Sequence, residues 1–320
     1  MMEGPDAASE PRKASKRMQD SDHYVLTMIP ATESGAKPTK CFTFHSIAAA
    51  IAYGNGVKSG ATKCLNPVNA QYANARVRET DERTGSPTWC EGMTDAECYA
   101  AIVNPTESKR ESMDRFGRRI STFEAPMVPQ SRRRLVKRLD DGDAIDAVRY
   151  ATEFTVEGVW SKRVRQARPR PAIRVALNAC CHGGTTAEQM ARAAAAVLSF
   201  VRVAEDNGYA VEVDWCLAFG AIGNRHLAIV PLKRVADTLD WDTLVGFAVG
   251  STTFRTLGFD MIPGLCSDDI GWGWGKVHKA KATDGAYDLV SEAAFYNDAD
   301  AEKWVTNALA QVTEAAAAAA

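Results

Sequence analysis

The passage that most restricts the fold begins at residue 173. Ile173-Arg174-Val175-Ala176-Leu177 has the composition of a short strand and is closed by the polar loop Asn178–Gly184. Thr185-Thr186-Ala187-Glu188 then offers hydroxyls and a carboxylate to cap a helix, which continues through MARAAAAVLSFVRVAED to Asn207-Gly208, a good stop. The alternating run Tyr209–Phe219 (YAVEVDWCLAF) follows as a second strand. Strand, loop, capped helix, glycine, strand is a βαβ unit, which demands a right-handed crossover and a mainly parallel sheet.

Further elements fall in order behind this unit. His226–Leu232 reads as a third strand, a helix begins near Asp240, and Ser251–Phe259 continues as another. Tyr287–Phe295 reads as a last strand. Asp300–Val312 reads as an amphipathic closing helix with Trp304, Ala308 and Leu309 on one side. The expectation is an α/β domain of Rossmann type over residues 172–314, its mainly parallel sheet flanked by helices, with an alanine tail at 315–320. Arg168-Pro169-Arg170-Pro171 cannot continue a helix and marks the expected boundary before it.

Upstream the pattern loosens. Residues 1–22 are polar with little to bury and read as a disordered arm, and residues 23–171 as an irregular α+β region ending in a basic linker. Within it Tyr24–Ile29 is a plausible strand. Phe44–Tyr53 reads as a helix ended by Gly54-Asn55-Gly56, and Thr94-Asp95-Ala96-Glu97 has capping-box spacing for a helix through Val103. A chain of 320 residues, 46% hydrophobic and 24% charged, has the length for two folded parts and the composition of a globular protein. Eight scattered cysteines, a polar start without the apolar core of a signal peptide, and no apolar run near 20 residues point to a reducing, cytoplasmic setting and away from a membrane.

A net charge of −2 implies no global pull toward polyanions, so any such binding has to be local. The local candidate is Arg132, Arg133, Arg134, Lys137, Arg138, Lys162, Arg163 and Arg165, continued by Arg168 and Arg170 and interrupted by Asp140, Asp141, Asp143 and Asp146. A solvated helix face and linker outweighs a phosphate or nucleic-acid patch as its reading.

In an open α/β sheet, ligands bind beyond the carboxyl ends of the strands, which makes Asn178–Thr186 the default site. The loop has neither G-x-G-x-x-G nor the Lys-Ser/Thr pair of a phosphate-binding loop. Gly271-Trp272-Gly273-Trp274-Gly275-Lys276 lacks a preceding strand and a following hydroxyl, and reads as a turn with packed tryptophans. A Cys180 or Cys181 nucleophile paired with His182 has no acid to orient the imidazole. Zinc held by Cys180, His182 and a remote Cys216 or Cys266 lacks paired ligand spacing. Cysteines acting as small buried hydrophobes outweigh both readings.

The order of elements from Ala172 to Val312 resembles the von Willebrand factor A domain. In that family the loop after the first strand carries Asp-x-Ser-x-Ser, whose oxygens hold Mg²⁺. The resemblance places Asn178 at the aspartate, Cys180 at the first serine and His182 at the second. An amide, a thiol and an imidazole are poor donors for Mg²⁺, so a degenerate metal site around Asn178, Cys180, His182 and Thr185 is expected, with no cofactor. Over a longer span, FHSIAAAIAYGNG, AIRVALNACCHGGTTAEQMARAAAAVLSFVRVAEDNGYAVEVDW and LKRVADTLDWDTLVGFAVGSTTFRTLGFDM resemble, in order, a family of bacteriophage and bacterial proteins without an assigned activity. That resemblance implies a phage-type, non-enzymatic module that binds a protein partner. The competing expectations are a virion component whose arm and arginine-rich segment are ordered by neighbouring subunits, and a cysteine-dependent enzyme or zinc protein, with a homo-oligomer as a further partner expectation.

Overall fold

In a computed structural model of the protein, the described residues are 16–31, 37–71, 90–120, 131–139, 144–145, 147–153, 160–167, 170–181, 184–221, 224–237, 240–267 and 287–318. Three strands open the chain: β1 (Lys16–Asp20), β2 (Tyr24–Ile29) and β3 (Thr39–Phe44), each antiparallel to the next. Lys16–Asp20 thus corrects the arm reading for those five residues. Ladder bonds use main-chain groups only, so the open edge of β2 can recruit a strand from a polar stretch of sequence.

Helix α1 (Ile47–Ser59) starts at the Ser46 cap and runs straight through the expected stop at Gly54-Asn55-Gly56, ending at Gly60 in the left-handed conformation. Tertiary contact explains the overrun. A Cβ on Gly54 would strike Leu257, so the missing side chain admits a close neighbour and does not break the helix. Helix α2 (Asp95–Val103) has the expected capping box, Thr94 with Glu97, and is followed by α3 (Glu107–Ile120).

The arginine-rich region is β-structure, which corrects its reading as a helix face and linker. It forms β4 (Ser131–Leu139), β5 (Ala144–Ile145), the short helix α4 (Ala147–Glu153) and β6 (Trp160–Ala167), in an antiparallel sheet of order β4-β6-β5. Arginine has good helix propensity, and here strand pairing overrides it.

The βαβ unit is present as β7 (Ala172–Asn178), α5 (Ala187–Asp206) and β8 (Ala210–Ala221), with β7 and β8 parallel in unbroken register. The capping box of α5 is Thr186 with Gln189, one position beyond the expected pair. The third expected strand, β9 (Asn224–Lys233), turns back antiparallel on β8 as a hairpin. Downstream lie α6 (Trp241–Ala248, capped by Asp240), a π-helical turn at Phe254–Gly258 leading into α7 (Phe259–Leu265), β10 (Leu289–Val290) and α8 (Asp298–Ala318). The last strand is therefore two residues long, against the longer one expected at Tyr287–Phe295.

The main sheet has the order β1-β2-β3-β9-β8-β7-β10, with parallel pairs β3/β9, β8/β7 and β7/β10. Segments from both sides of Pro171 build it together: Phe42 is the register partner of Ala228, and its ring stacks on Phe219 at 6.4 Å. This is a mixed α/β fold with a central sheet flanked by helices. Helix α5 supplies much of the core, burying Met190, Ala193–Phe200, Val201 and Ala204. Its alanines allow close approach to both the sheet and α3. On β8, the buried Asp214 accepts from Arg234 Nη1 at 2.6 Å, Tyr287 Oη at 3.0 Å and Arg174 Nη2 at 3.3 Å, so this buried carboxylate is fully paired.

Candidate functional site: the end of β7 and the cleft beside it

The peptide leaving β7 is part of the core, which corrects its expected place as an exposed rim loop. Asn178, Ala179, Cys180 and Cys181 are all buried. A strap of chain after β10 crosses this end and is stitched to it. The Asn178 amide Nδ2 donates to the Ser291 carbonyl at 2.5 Å, the Asn178 backbone N–H donates to Ser291 Oγ at 3.2 Å, and Cys181 Sγ donates to the Ala293 carbonyl at 3.6 Å. Further along, Phe295 N–H donates to the Gln189 carbonyl at 3.1 Å, and Arg192 Nη1 donates to the carbonyls of Phe295 and Tyr296, each at 3.0 Å. Arg192 also pairs with Asp298 at 2.7 Å and Glu188 at 2.8 Å. The crevice that remains, lined by Asn178, Ala179, Trp215, Phe254 and Ala293, has a volume of about 10 Å³. That is at the lower limit for one water molecule.

The sequence-derived site residues are distributed accordingly. Asn178 spends its amide on the strap, and Thr185 offers its carbonyl to Arg255 Nη2. His182 lies outside the described residues, as does the Gly271–Lys276 turn. Cys216 is the register partner of Asn178 and hydrogen-bonds Tyr287 Oη at 3.4 Å. It packs with Cys41 in a small cluster, whereas Cys180 and Cys266 belong to the main core. Among the described residues no three His, Cys, Asp or Glu side chains converge as metal ligands. The donors at Asn178, Cys180 and Thr185 do not fit Mg²⁺, which needs several hard oxygens free to turn toward it. Burial pushes the Cys181 thiol up to about 12, with the neighbouring Cys180 adding to the shift and Arg255 opposing it. A thiol held there is not a thiolate at neutral pH.

Just outside this end lies a cleft of about 690 Å³ between α3 and the first turns of α5. Arg115, Arg118, Glu111, Glu188 and Ser112 line it, and Lys109 and Glu91 stand at its inner side. Lys109 is buried, and its Nζ donates to Gly246 O at 2.6 Å, Thr252 Oγ1 at 2.7 Å and Ala101 O at 3.2 Å. Burial lowers its amine to about 8, with Glu91 pulling the other way. The Glu91 carboxyl is raised by burial, against the Lys109 charge and a Ser251 backbone N–H. Gly250, at φ +97, permits this approach, because a Cβ there would collide with Glu91 Oε1. Sequence reasoning missed Lys109, because the highly charged run ESKRESMDRFGRR beyond the stop at Asn104-Pro105 shows nothing that marks one of its cations for burial. The available signal was the run Gly250-Ser251-Thr252-Thr253, small polar residues between two apolar helices, which calls for a buried polar partner.

A second buried polar group braces the far side of α2. Tyr99 Oη donates to Asp260 on α7, Lys58 forms an ion pair with Asp95, and Lys58 Nζ lies 5.0 Å from the Tyr99 ring centroid. Burial raises the Asp260 carboxyl to about 6, opposed by the Tyr99 bond and the Lys58 charge and reinforced by Asp95. The folded state therefore binds more protons than the unfolded state between 3.8 and about 6. Stability from this group is fully present below that window and is lost as pH rises through it. Asp260→Asn should gain relative to the parent as pH goes from 4 to 7, by on the order of 3 kcal/mol. A parent-minus-variant difference in urea stability that stays flat over that range would refute burial as the dominant cause.

No helix of the described residues is long and apolar enough to cross a membrane. Searches of curated proteins and of solved structures find no match. The family described as "Domain of unknown function (DUF7192)" matches residues 56–315, a span that takes in the α2–α3 pair, the arginine-rich strands, the βαβ unit and the strap, and the chain belongs to that family.

Proposed function

We propose that the protein is a non-enzymatic, phage-type interaction module. In this reading its C-terminal half is a von Willebrand factor A-like unit whose metal position has become structural, and the charged cleft between α3 and α5 receives a polar segment of a protein partner. One observation carries it: the crevice beyond β7 is filled to about 10 Å³, whereas the adjoining cleft of about 690 Å³ is open and lined by charges of both signs. A ligand site of drug-like size needs several hundred Å³, which the first lacks and the second has. The succession strand, loop, long helix, glycine and two strands supports the von Willebrand factor A-like assignment. The phage-type assignment rests on the resemblance of the three quoted passages. Lys109, locked by three acceptors, supports a cleft that binds rather than one that transfers protons.

A photo-crosslinking amino acid placed at Ser112 in the full chain, in its native cells, should give a discrete protein adduct. The same residue at exposed Ser59, away from the cleft, should not. Arg115→Glu combined with Arg118→Glu should reduce the Ser112 adduct at least tenfold. Equal labelling from both positions would remove the cleft as the site. Stoichiometric Mg²⁺ binding that Asn178→Ala abolishes would remove the structural reading of the β7 loop.

A further inference from the structure

Two arginine-rich segments that stand apart in sequence are register partners in one ladder. Across β4 and β6 the pairs are Arg132 with Gln166, Arg133 with Arg165, Arg134 with Val164, Leu135 with Arg163, Val136 with Lys162 and Lys137 with Ser161. Directly opposed residues of an antiparallel pair share a face, as do residues two apart on one strand. One face of the ladder therefore takes Arg133, Lys137, Arg163 and Arg165, and the other takes Arg132, Arg134 and Lys162. Neither strand contains an acidic residue. The two strands hold eight cations in a chain of net charge −2, which leaves −10 for everything else, so positive charge is concentrated here. Asp140, Asp141, Asp143 and Asp146, which interrupt the run in sequence, lie outside the described residues. Arg133 opposite Arg165 is a like-charge pair that destabilises a free ladder, and a bound polyanion relieves it.

We propose that this arginine ladder binds the phosphate backbone of a nucleic-acid duplex. Arg163 and Arg165, two positions apart on β6, stand about 6.6–6.8 Å apart, and Arg133 and Lys137, four positions apart on β4, about twice that, so the cations of this face follow the strand direction as a polyanion with a regular repeat requires. A duplex presents about one charge per 1.7 Å of axis, and its major groove, about 12 Å wide, admits a two-stranded β-ribbon. Six of the eight cations are arginine, whose fork matches phosphate oxygens in a way lysine does not. An anionic lipid surface is less well matched, because membrane-surface sites set apolar side chains beside their cations. Among the described residues the four-cation face carries Leu135, Ala167 and, from β5, Ala144, and no aromatic residue.

Fluorescence anisotropy of a labelled 20-base-pair DNA duplex with the full-length protein tests this. Affinity should fall roughly a hundredfold between 50 and 200 mM NaCl if about four phosphates are neutralised. Arg133→Gln with Arg165→Gln should weaken binding at least tenfold at 50 mM and lower the salt slope by about 2. Arg132→Gln with Arg134→Gln, on the other face, should stay within about threefold of the parent. Arg133→Lys with Arg165→Lys should restore the salt slope of the parent and part of its affinity, which separates loss of charge from loss of fold. Absence of binding at 50 mM, equal losses from the two glutamine pairs, or tighter binding to phosphatidylserine vesicles or polyglutamate than to DNA would each overturn the proposal.

Discussion

Lys109→Ala is expected to cost the protein about 3–5 kcal/mol of stability, the usual consequence of removing one partner from a buried charged network. The side chain is nearly fully buried, and its Nζ satisfies the carbonyls of Ala101 and Gly246 and the hydroxyl of Thr252. Those acceptors belong to α2, α6 and the start of the π-helical turn, so one ammonium joins three elements. Its removal takes a donor from two carbonyls and the favourable Lys109 charge from Glu91, each a desolvation cost with nothing to offset it. Lys109→Met restores most of the volume and none of the donors, so it should lose nearly as much. Urea denaturation of both variants at pH 7 checks this, and a loss below about 1 kcal/mol for either would show that the network is dispensable.

Asn178→Asp, the substitution that restores the aspartate of the von Willebrand factor A pattern, should destabilise by about 3 kcal/mol or more, with no gain from Mg²⁺. The amide nitrogen of Asn178 donates to the Ser291 carbonyl. An aspartate sets a carboxylate oxygen against that carbonyl oxygen in a buried site, so the strap loses a bond and the carboxyl must either stay protonated or drive the strap away. The measurement is thermal unfolding with and without 10 mM MgCl₂. A ligand that binds only the folded state raises its stability with concentration, so a variant rescued by magnesium would show that the site had kept its metal geometry.

Local signals predicted the elements whose causes are local. The Thr94 and Glu97 capping box, the Asp240 cap, the β7-α5-β8 unit and the strand at Tyr24–Ile29 all lie where side-chain type and spacing put them. Features set by distant partners were not legible. Gly54 and Gly56 read as a helix stop until Leu257 and Thr62 are seen packed against them, and the arginine-rich segments read as helix and linker because nothing within either one names the other as its partner. The same limit applied to the β7 loop. Asn-Ala-Cys-Cys is polar enough to pass for a rim, but the strap that buries it lies more than a hundred residues downstream. Periodicity over a short window carries no information about such a cover.

The parallel pairing of β3 with β9 sets the order in which the chain can mature. Phe42 is synthesised long before its partner Ala228, and at 5–20 residues per second the interval is on the order of ten seconds or more. Throughout it the nascent β1–β3 meander presents an unsatisfied edge, so refolding should be slow for the protein's size, and the emerging chain should depend on a holdase until the hairpin arrives.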